Sequence, residues 1–305
     1  MKRPLIVVTG CNGQIGYEIT RIMTLLGDVM PVDMDELDLS RSEKVVSFMR
    51  EHKPDIVINT AGYTSVDTAE SNENAAMQVN AVVPGIIAEE LKKTGGLIVH
   101  FSTDFAYDGT KTAPYHEKYR VNPLSVYAKT KLAGDAAIIK SGVKHLIFRT
   151  NWIYGERGHN FLVTMLSLCK TREELSVVND QLGAPTWCRA VAEGVGLVLS
   201  RKEAFDPAYS GLYHMTCAGK VTWYEFAVKI AKFYEYKTKN RITVYPVSTG
   251  EYPMKAKRPK YSVLDNSKLN SAFGIVMPDW TVCFKQVMQD MGYEEPKSLS
   301  VFKRQ

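Results

Sequence analysis

Short apolar runs alternate with amphipathic stretches through the first half of the chain. The runs at 5–9, 29–33, 56–60, 97–102 and 145–149 are rich in β-branched residues and almost continuously apolar, as strands buried on both faces are. Between them, positions 15–26, 42–52, 74–93 and 126–141 carry apolar residues at helical spacing. The pattern predicts repeated βα units around a parallel sheet, an α/β fold of the Rossmann-type, doubly wound class. After about residue 150 the rhythm loosens. Helical patterns persist at 160–171, 187–201, 222–234 and 281–291, separated by irregular stretches at 179–185, 249–261 and 277–279. The expected division is a dinucleotide-binding domain over 1–150 and a smaller, loop-rich, mainly substrate-binding C-terminal domain over 151–305. Segments such as 187–216 are expected to return to the first unit, with 211–216 read as a strand of the main sheet.

A length of 305 residues suits about two domains at roughly 150 residues each. With 45% hydrophobic and 23% charged residues, disorder is excluded as the main state. The net charge of +5 is too dilute to argue for nucleic acid. Lys255, Lys257, Arg258 and Lys260 do gather, either to face an anionic small molecule or as a solvated loop. Five scattered cysteines with no Cys-x-x-Cys pair argue against a disulfide framework and against structural zinc. The opening apolar run is too short for a signal peptide, and no stretch approaches a membrane span. A cytoplasmic protein with no membrane partner is expected.

Gly10-Cys11-Asn12-Gly13-Gln14-Ile15-Gly16 follows the first strand and opens the first helix. Glycines there permit a tight turn and let the backbone approach a pyrophosphate at the positive helix terminus. Asp33, ending the second apolar run, can accept hydrogen bonds from adenosine ribose hydroxyls. Its carboxylate repels a 2′-phosphate, and Met34-Asp35-Glu36 offers no cation to offset that, so NADH is favoured over NADPH. Asp38 and Leu39 are placed to touch the adenine; helix capping by Asp38 or Ser40 is an equally simple account.

Tyr127 and Lys131 in Tyr127-Ala128-Lys129-Thr130-Lys131 lie one turn apart on a single helix face. Hydride delivery to a carbonyl carbon leaves charge on oxygen, which needs a proton donor. A nearby ammonium favours the phenolate and draws a tyrosine pKa toward the working range. Ser102-Thr103-Asp104 ends the fourth strand at the carboxyl edge of the sheet, where the Thr103 hydroxyl could share the carbonyl oxygen with Tyr127. A turn that satisfies its own backbone is the alternative for Ser102-Thr103.

The glycine run, Asn59-Thr60-Ala61-Gly62 and Thr103…Tyr127-x-x-x-Lys131 together resemble the extended short-chain dehydrogenase/reductase superfamily. Four further segments resemble, more narrowly, the dTDP-4-dehydrorhamnose reductase family: Tyr63 to Glu70, Ser102 to Gly109, Asp180 to Thr186, and Arg258-Pro259 with Ser262 to Asp265. The similarity runs from the first strand to about residue 290. The resemblance implies reduction of the 4-keto group of dTDP-4-dehydro-L-rhamnose by a nicotinamide cofactor. It implies that Gly13, Gln14, Ile15, Asp33, Asp38, Leu39, Ala61, Gly62 and Tyr63 line the dinucleotide, beside Gly10 and Gly16. Tyr127 would protonate the sugar C4 oxygen, Lys131 would also hold the nicotinamide ribose, and Thr103 would polarise the carbonyl. Thr103, Asp104 and Trp152 match substrate-contacting positions. Trp152 offers a flat surface for a sugar or thymine, with a core role as the alternative. Arg258 suits the nucleotide pyrophosphate. Asn179 and Gln181 suit sugar or phosphate, or else a buried turn network.

Some members of the family hold magnesium with glutamates at a dimer contact. Here Glu18 is present, but Trp187-Cys188-Arg189 places an arginine where a glutamate would be wanted. No metal is therefore expected, and a homodimer, if formed, would lack that bridge. Related dehydratases carry an Asp-Glu pair after the strand-four threonine, whereas Asp104 is followed by Phe105, which favours carbonyl reduction over elimination. A reductase of another nucleotide-linked 4-keto deoxysugar is a second reading. A non-catalytic regulatory subunit like that of methionine adenosyltransferase is a third, disfavoured by the Asp-Gln-x-Gly-x-Pro-Thr segment.

Overall fold

The computed structural model describes residues 3–252 and 254–295. Its centre is a six-stranded sheet built from β1 (Leu5–Thr9), β2 (Asp28–Val32), β3 (Ile56–Asn59), β4 (Leu97–Thr103), β5 (Lys144–Thr150) and an edge strand, Gly211–His214. The spatial order is β2-β1-β3-β4-β5 and then Gly211–His214, with every pair parallel. The expected return of the 211–216 region to the main sheet is thus seen, pairing Tyr213 with Phe148.

Both faces of the sheet are covered, which is why its strands read as unbroken apolar runs. Ile6, Val8, Ile58, Val99 and Phe148 pack with α1 (Gln14–Met23) and the Cys188–Leu199 helix in one core. Val7, Val57, Ile98 and Ile147 pack with α2 (Ser42–His52) and the Val83–Thr94 helix in the other. Gly196 lets the Cys188–Leu199 helix close on α1, since an added Cβ would lie 2.8 Å from Ile22 Cγ2.

Two features go beyond what the pattern predicts. The helix expected over 74–93 is present over 73–94 and carries a wider π-type turn: Glu73–Met77 leads into Gln78–Val82 before Val83–Thr94 continues in regular α geometry. Pro84 has no N–H to offer the Asn80 carbonyl, so the regular ladder cannot run through it. Gly134 of the neighbouring helix fills that space, where a Cβ would stand only 2.0 Å from Asn80 O. Among the described residues the second half also contains three two-stranded sheets that the hydrophobic pattern did not announce. They pair Glu174–Val178 with Thr243–Val247, Leu182–Gly183 with Val221–Thr222, and Ile153–Tyr154 with Thr186–Trp187. Among the described residues, no helix is long and apolar enough to cross a membrane.

Candidate active site

The strand order reverses between β1 and β3, which opens a crevice at their carboxyl ends. The two lips nearly touch. Gly10 has a left-handed φ of 69°, and an added Cβ would meet Ala61 Cα at 2.8 Å. Gly16 lies against the Gly10 carbonyl, where a Cβ would sit at 2.1 Å. The first turn of α1 has no side-chain cap at Gly13 and no acidic residue, which leaves its N–H groups to an anion. This cradle fits a dinucleotide pyrophosphate. Gln14 turns its amide toward the 155–160 loop, accepting from Asn160 Nδ2 at 2.9 Å, and Ile15 packs on the first core.

Asp33 stands one residue past β2. Its Oδ2 accepts from Asn12 N at 2.8 Å and its Oδ1 from Met34 N at 2.9 Å, leaving further lone pairs for a ribose. Asp38 accepts from the Ser40 N–H and hydroxyl, which holds its carboxyl below the usual range. Neither Asp38 nor Ser40 caps α2, whose N-cap is Arg41 without a side-chain bond. Leu39 packs against the second core. On the opposite lip, Asn80 Oδ1 accepts from Tyr63 N at 2.8 Å, while Asn80 Nδ2 donates to Tyr63 O and to Thr130 Oγ1. Asn80 is fully buried and so ties the Ala61-Gly62-Tyr63 loop to the Val126–Ser141 helix. Sequence reasoning missed it. Its signal was an amide just ahead of Pro84 in an otherwise apolar helical face.

Ser125 caps the Val126–Ser141 helix, accepting from Ala128 N, and sets Tyr127 and Lys131 on the face toward β4. Burial pushes the Tyr127 phenol up to about 12, against the lowering effect of the adjacent Thr103 hydroxyl. The carboxylates of Asp104 and Asp135 push it the same way as burial. Burial also brings the Lys131 ammonium down to about 8, with Asp135 opposing. Burial outweighs the lowering influence on the phenol, which therefore lies above its ordinary value. Phe105 sets its ring edge-on to Tyr127 at 6.1 Å and helps to keep water from it.

Thr103 Oγ1 accepts from Phe105 N at 3.1 Å and donates to Asp104 Oδ1 at 3.2 Å, so the self-satisfied strand-end turn is present. Asp104 is 3% exposed, and its Oδ2 has no hydrogen-bond partner among the described residues. Burial lifts its carboxyl to about 7, although hydroxyls of Ser262 and Thr103 pull it down. An orphaned buried oxygen beside a phenol and a hydroxyl is what a polar ligand would complete.

The remaining candidates divide. Trp152 has a left-handed φ of 42°, a strained conformation for a non-glycine. One face of its indole stacks on Trp223 with centroids 3.5 Å apart, and Gly183 approaches so closely that a Cβ would lie 2.4 Å from Cε2. Gln181 Nε2 donates to Thr249 Oγ1 at 3.0 Å, and Asp180 accepts from the same threonine, the turn network given above as the alternative. Asn179 is exposed and donates through its backbone to Val247 O. Arg258 forms a fork on Asp67, with distances of 2.6 and 3.3 Å. The pair edges a cavity of about 490 Å³ lined also by Thr68, Ser71, Tyr252 and Lys255. Arg258 thus faces an anion-sized space but already has a carboxylate partner.

Glu18, Glu156 and the Cys188 thiol come within 4.8 Å of one another. The Arg189 guanidinium spans the carboxylates, donating to Glu18 at 3.2 Å, Glu156 at 2.8 Å and Asp290 at 2.9 Å. Burial pushes the Cys188 thiol up to about 12.

The model of the family described as RmlD substrate binding domain matches residues 3–293. The chain belongs to this family. The dTDP-4-dehydrorhamnose reductase of Burkholderia thailandensis is 43% identical over 295 residues, covering 94% of this chain and 98% of that protein. The crystal structure of a dTDP-4-dehydrorhamnose reductase from Clostridium acetobutylicum superposes with a TM-score of 0.87 at 38% identity, covering 94% of this chain and 99% of that one. That of the Bacillus anthracis enzyme in complex with NADP also gives 0.87, at 32% identity over 95% of this chain and 100% of that one. The narrow resemblance in the sequence motifs is therefore a family relationship over almost the whole length.

Proposed function

We propose that this member of the family reduces the 4-keto group of dTDP-4-dehydro-L-rhamnose to give dTDP-L-rhamnose. The observation that carries the reading is the meeting of Tyr127, Thr103 and the orphaned Asp104 Oδ2 at the carboxyl edge of the sheet, beside the glycine crevice. When bound, the reduced nicotinamide supplies the hydride. Tyr127, still protonated at neutral pH, gives its proton to the oxygen as charge grows there, because an alkoxide is more basic than a phenolate. The Thr103 hydroxyl, released from Asp104, shares that oxygen. Asp104 takes up a sugar hydroxyl through Oδ2. The α1 N-terminus binds the pyrophosphate and Asp33 the adenosine ribose. Asp33, Asp35, Glu36 and Asp38 leave a 2′-phosphate in an acidic setting, which favours NADH, although the Bacillus anthracis relative was crystallised with NADP.

On this reading residues 1–150 carry the cofactor and 151–305 mainly the sugar nucleotide, whose pyrophosphate would exchange with Asp67 for the Arg258 fork. Five free cysteines, four of them buried, fit a reducing cytoplasm. Oxidation of NADH with dTDP-4-dehydro-L-rhamnose tests the proposal. Turnover that drops by about 10²–10⁴ in Tyr127→Phe, with NADH binding unchanged, is the expected result. Undiminished turnover in that variant removes the proton donor, and none in wild type removes the substrate.

A further inference from the structure

Three polar side chains interrupt the apolar face of the sheet at one level. Thr9 of β1, Asn59 of β3 and His100 of β4 are register partners, so their side chains stand in a row across the sheet. They are 2%, 1% and 0% exposed. Thr9 Oγ1 lies 2.7 Å from Asn59 Oδ1, Asn59 Nδ2 lies 3.1 Å from His100 Nδ1, and His100 Nε2 lies 3.4 Å from Lys131 Nζ. The row begins on the strand that feeds the glycine crevice and ends at the lysine behind the catalytic tyrosine. In a polar ladder this deep, two like hydrogen-bonding groups set face to face are costly.

That condition fixes the protons. With the Asn59 amide nitrogen toward Nδ1, the imidazole carries its proton on Nε2, which then faces an ammonium that has no lone pair. Two donors would confront each other at a position closed to bulk solvent. The two ends of an amide have the same shape, so turning Asn59 over costs no space and removes the conflict. Its Oδ1 then accepts from His100 Nδ1–H, its Nδ2 donates to Thr9 Oγ1, and the bare Nε2 accepts from Lys131.

We propose that His100 is a positioning residue that holds the Lys131 ammonium through Nε2, its tautomer set by Asn59 and Thr9. This rests on the reading of Tyr127 and Lys131 as the catalytic pair and adds what holds the lysine. The other groups around Lys131 are Asp135 on its own helix, Arg149 of β5 behind Asp135, and the Gly62 backbone, where a Cβ would lie 3.9 Å from Nζ. Asp135 accepts from Ser102 Oγ at 2.7 Å and Arg149 at 3.5 Å, both through Oδ2; its buried Oδ1 has no hydrogen-bond partner among the described residues, and neither oxygen bonds Lys131, which His100 reaches at 3.4 Å. His100 is therefore the acceptor that aims Lys131, while Asp135 supplies field. Burial and the Lys131 charge keep the imidazole neutral, as an acceptor must be.

The first test needs no substrate. Nitrogen NMR of histidine-labelled protein, with His100 assigned by its loss in His100→Gln, is expected to show a protonated Nδ1 and a bare Nε2. A protonated Nε2 overturns the proposal, whatever the reaction turns out to be. The second compares variants that fold and bind NADH. His100→Phe removes the acceptor, so kcat falls about tenfold or more and the basic limb of its pH profile moves down by about one unit, as the charged lysine loses support. His100→Gln, whose amide oxygen reaches the Nε2 position, restores most of both. An unchanged profile in His100→Phe, or a glutamine variant as impaired as the phenylalanine one, overturns the proposal. Absence of turnover in wild type would instead count against the reductase reading and leave the NMR result to stand alone.

Discussion

Replacing Asp104 by asparagine should make the protein more stable at pH 8 and leave its relative stability unimproved near pH 4. The carboxyl is 3% exposed, has one oxygen without a partner, and is lifted by burial from an ordinary 3.8 to about 7. A folded pKa above the unfolded one means that the native state binds the extra proton. The stabilising contribution is therefore complete below the unfolded value and is lost as pH rises through the folded one. About three pH units at 1.36 kcal/mol each give a wild-type loss of about 4 kcal/mol across that window, an order-of-magnitude figure. Asparagine keeps the shape and an oxygen for the Thr103 hydroxyl but has no charge to bury. Urea titrations of both proteins at intervals from pH 4 to 8 measure the difference directly. It should open progressively in favour of Asp104→Asn, reaching a few kcal/mol, while turnover falls because the group facing the sugar has changed. A difference that stays constant with pH, or one that turns against the variant at pH 8, would refute the claim that Asp104 is a strained, functional carboxyl.

Arg189→Ala removes the cation shared by Glu18, Glu156 and Asp290 and should cost about 2–3 kcal/mol, somewhat less than for a fully buried pair because Arg189 is 29% exposed. Thermal melting with and without magnesium checks it; full rescue by the metal would mean that the carboxylates form an ion site after all. Asn80→Ala cuts the ties to Tyr63 and Thr130 and should weaken NADH binding more than it lowers stability, by about tenfold in Kd. Fluorescence titration of NADH measures this, and an unchanged Kd would separate Asn80 from the cofactor loop. Asp67→Asn frees Arg258 and should lower KM for the sugar nucleotide with kcat little changed; a raised KM would show that Asp67 itself is needed to aim the guanidinium.

The first half was legible because four of its five strands are buried on both faces and its helices keep one apolar stripe, so period and composition pointed the same way. The second half was not, because its strands pair over as few as two residues and leave no alternation to read. The expected 74–93 helix formed, and its π-type turn falls just ahead of a residue that sequence does flag, Pro84, whose missing donor releases the Asn80 carbonyl where the Asn80 amide meets the cofactor loop. Motif positions such as Tyr127, Lys131 and Thr103 were found from spacing. The contacts around them were not: Asn80 ties Tyr63 to Thr130, and motif members Ser262 and Asp67 turn out to meet Asp104 and Arg258 from distant points in the chain.

One rule links the legible and the hidden parts. Along the face of the sheet that bears Val7, Val57 and Ile98, polarity changes with height: the next residues on the same face are Thr9, Asn59 and His100, and then Ser102 beside Arg149. The amino ends of these strands pack against apolar helix residues, whereas the carboxyl ends meet Lys131 and Asp135 of the Val126–Ser141 helix. An apolar surface there would strand both charges without partners at a cost of several kcal/mol each. Polar residues in otherwise apolar strands are therefore the imprint of a charged helix face packed against the sheet. Read that way, an isolated histidine in Leu97-Ile98-Val99-His100-Phe101 already points to the lysine it faces.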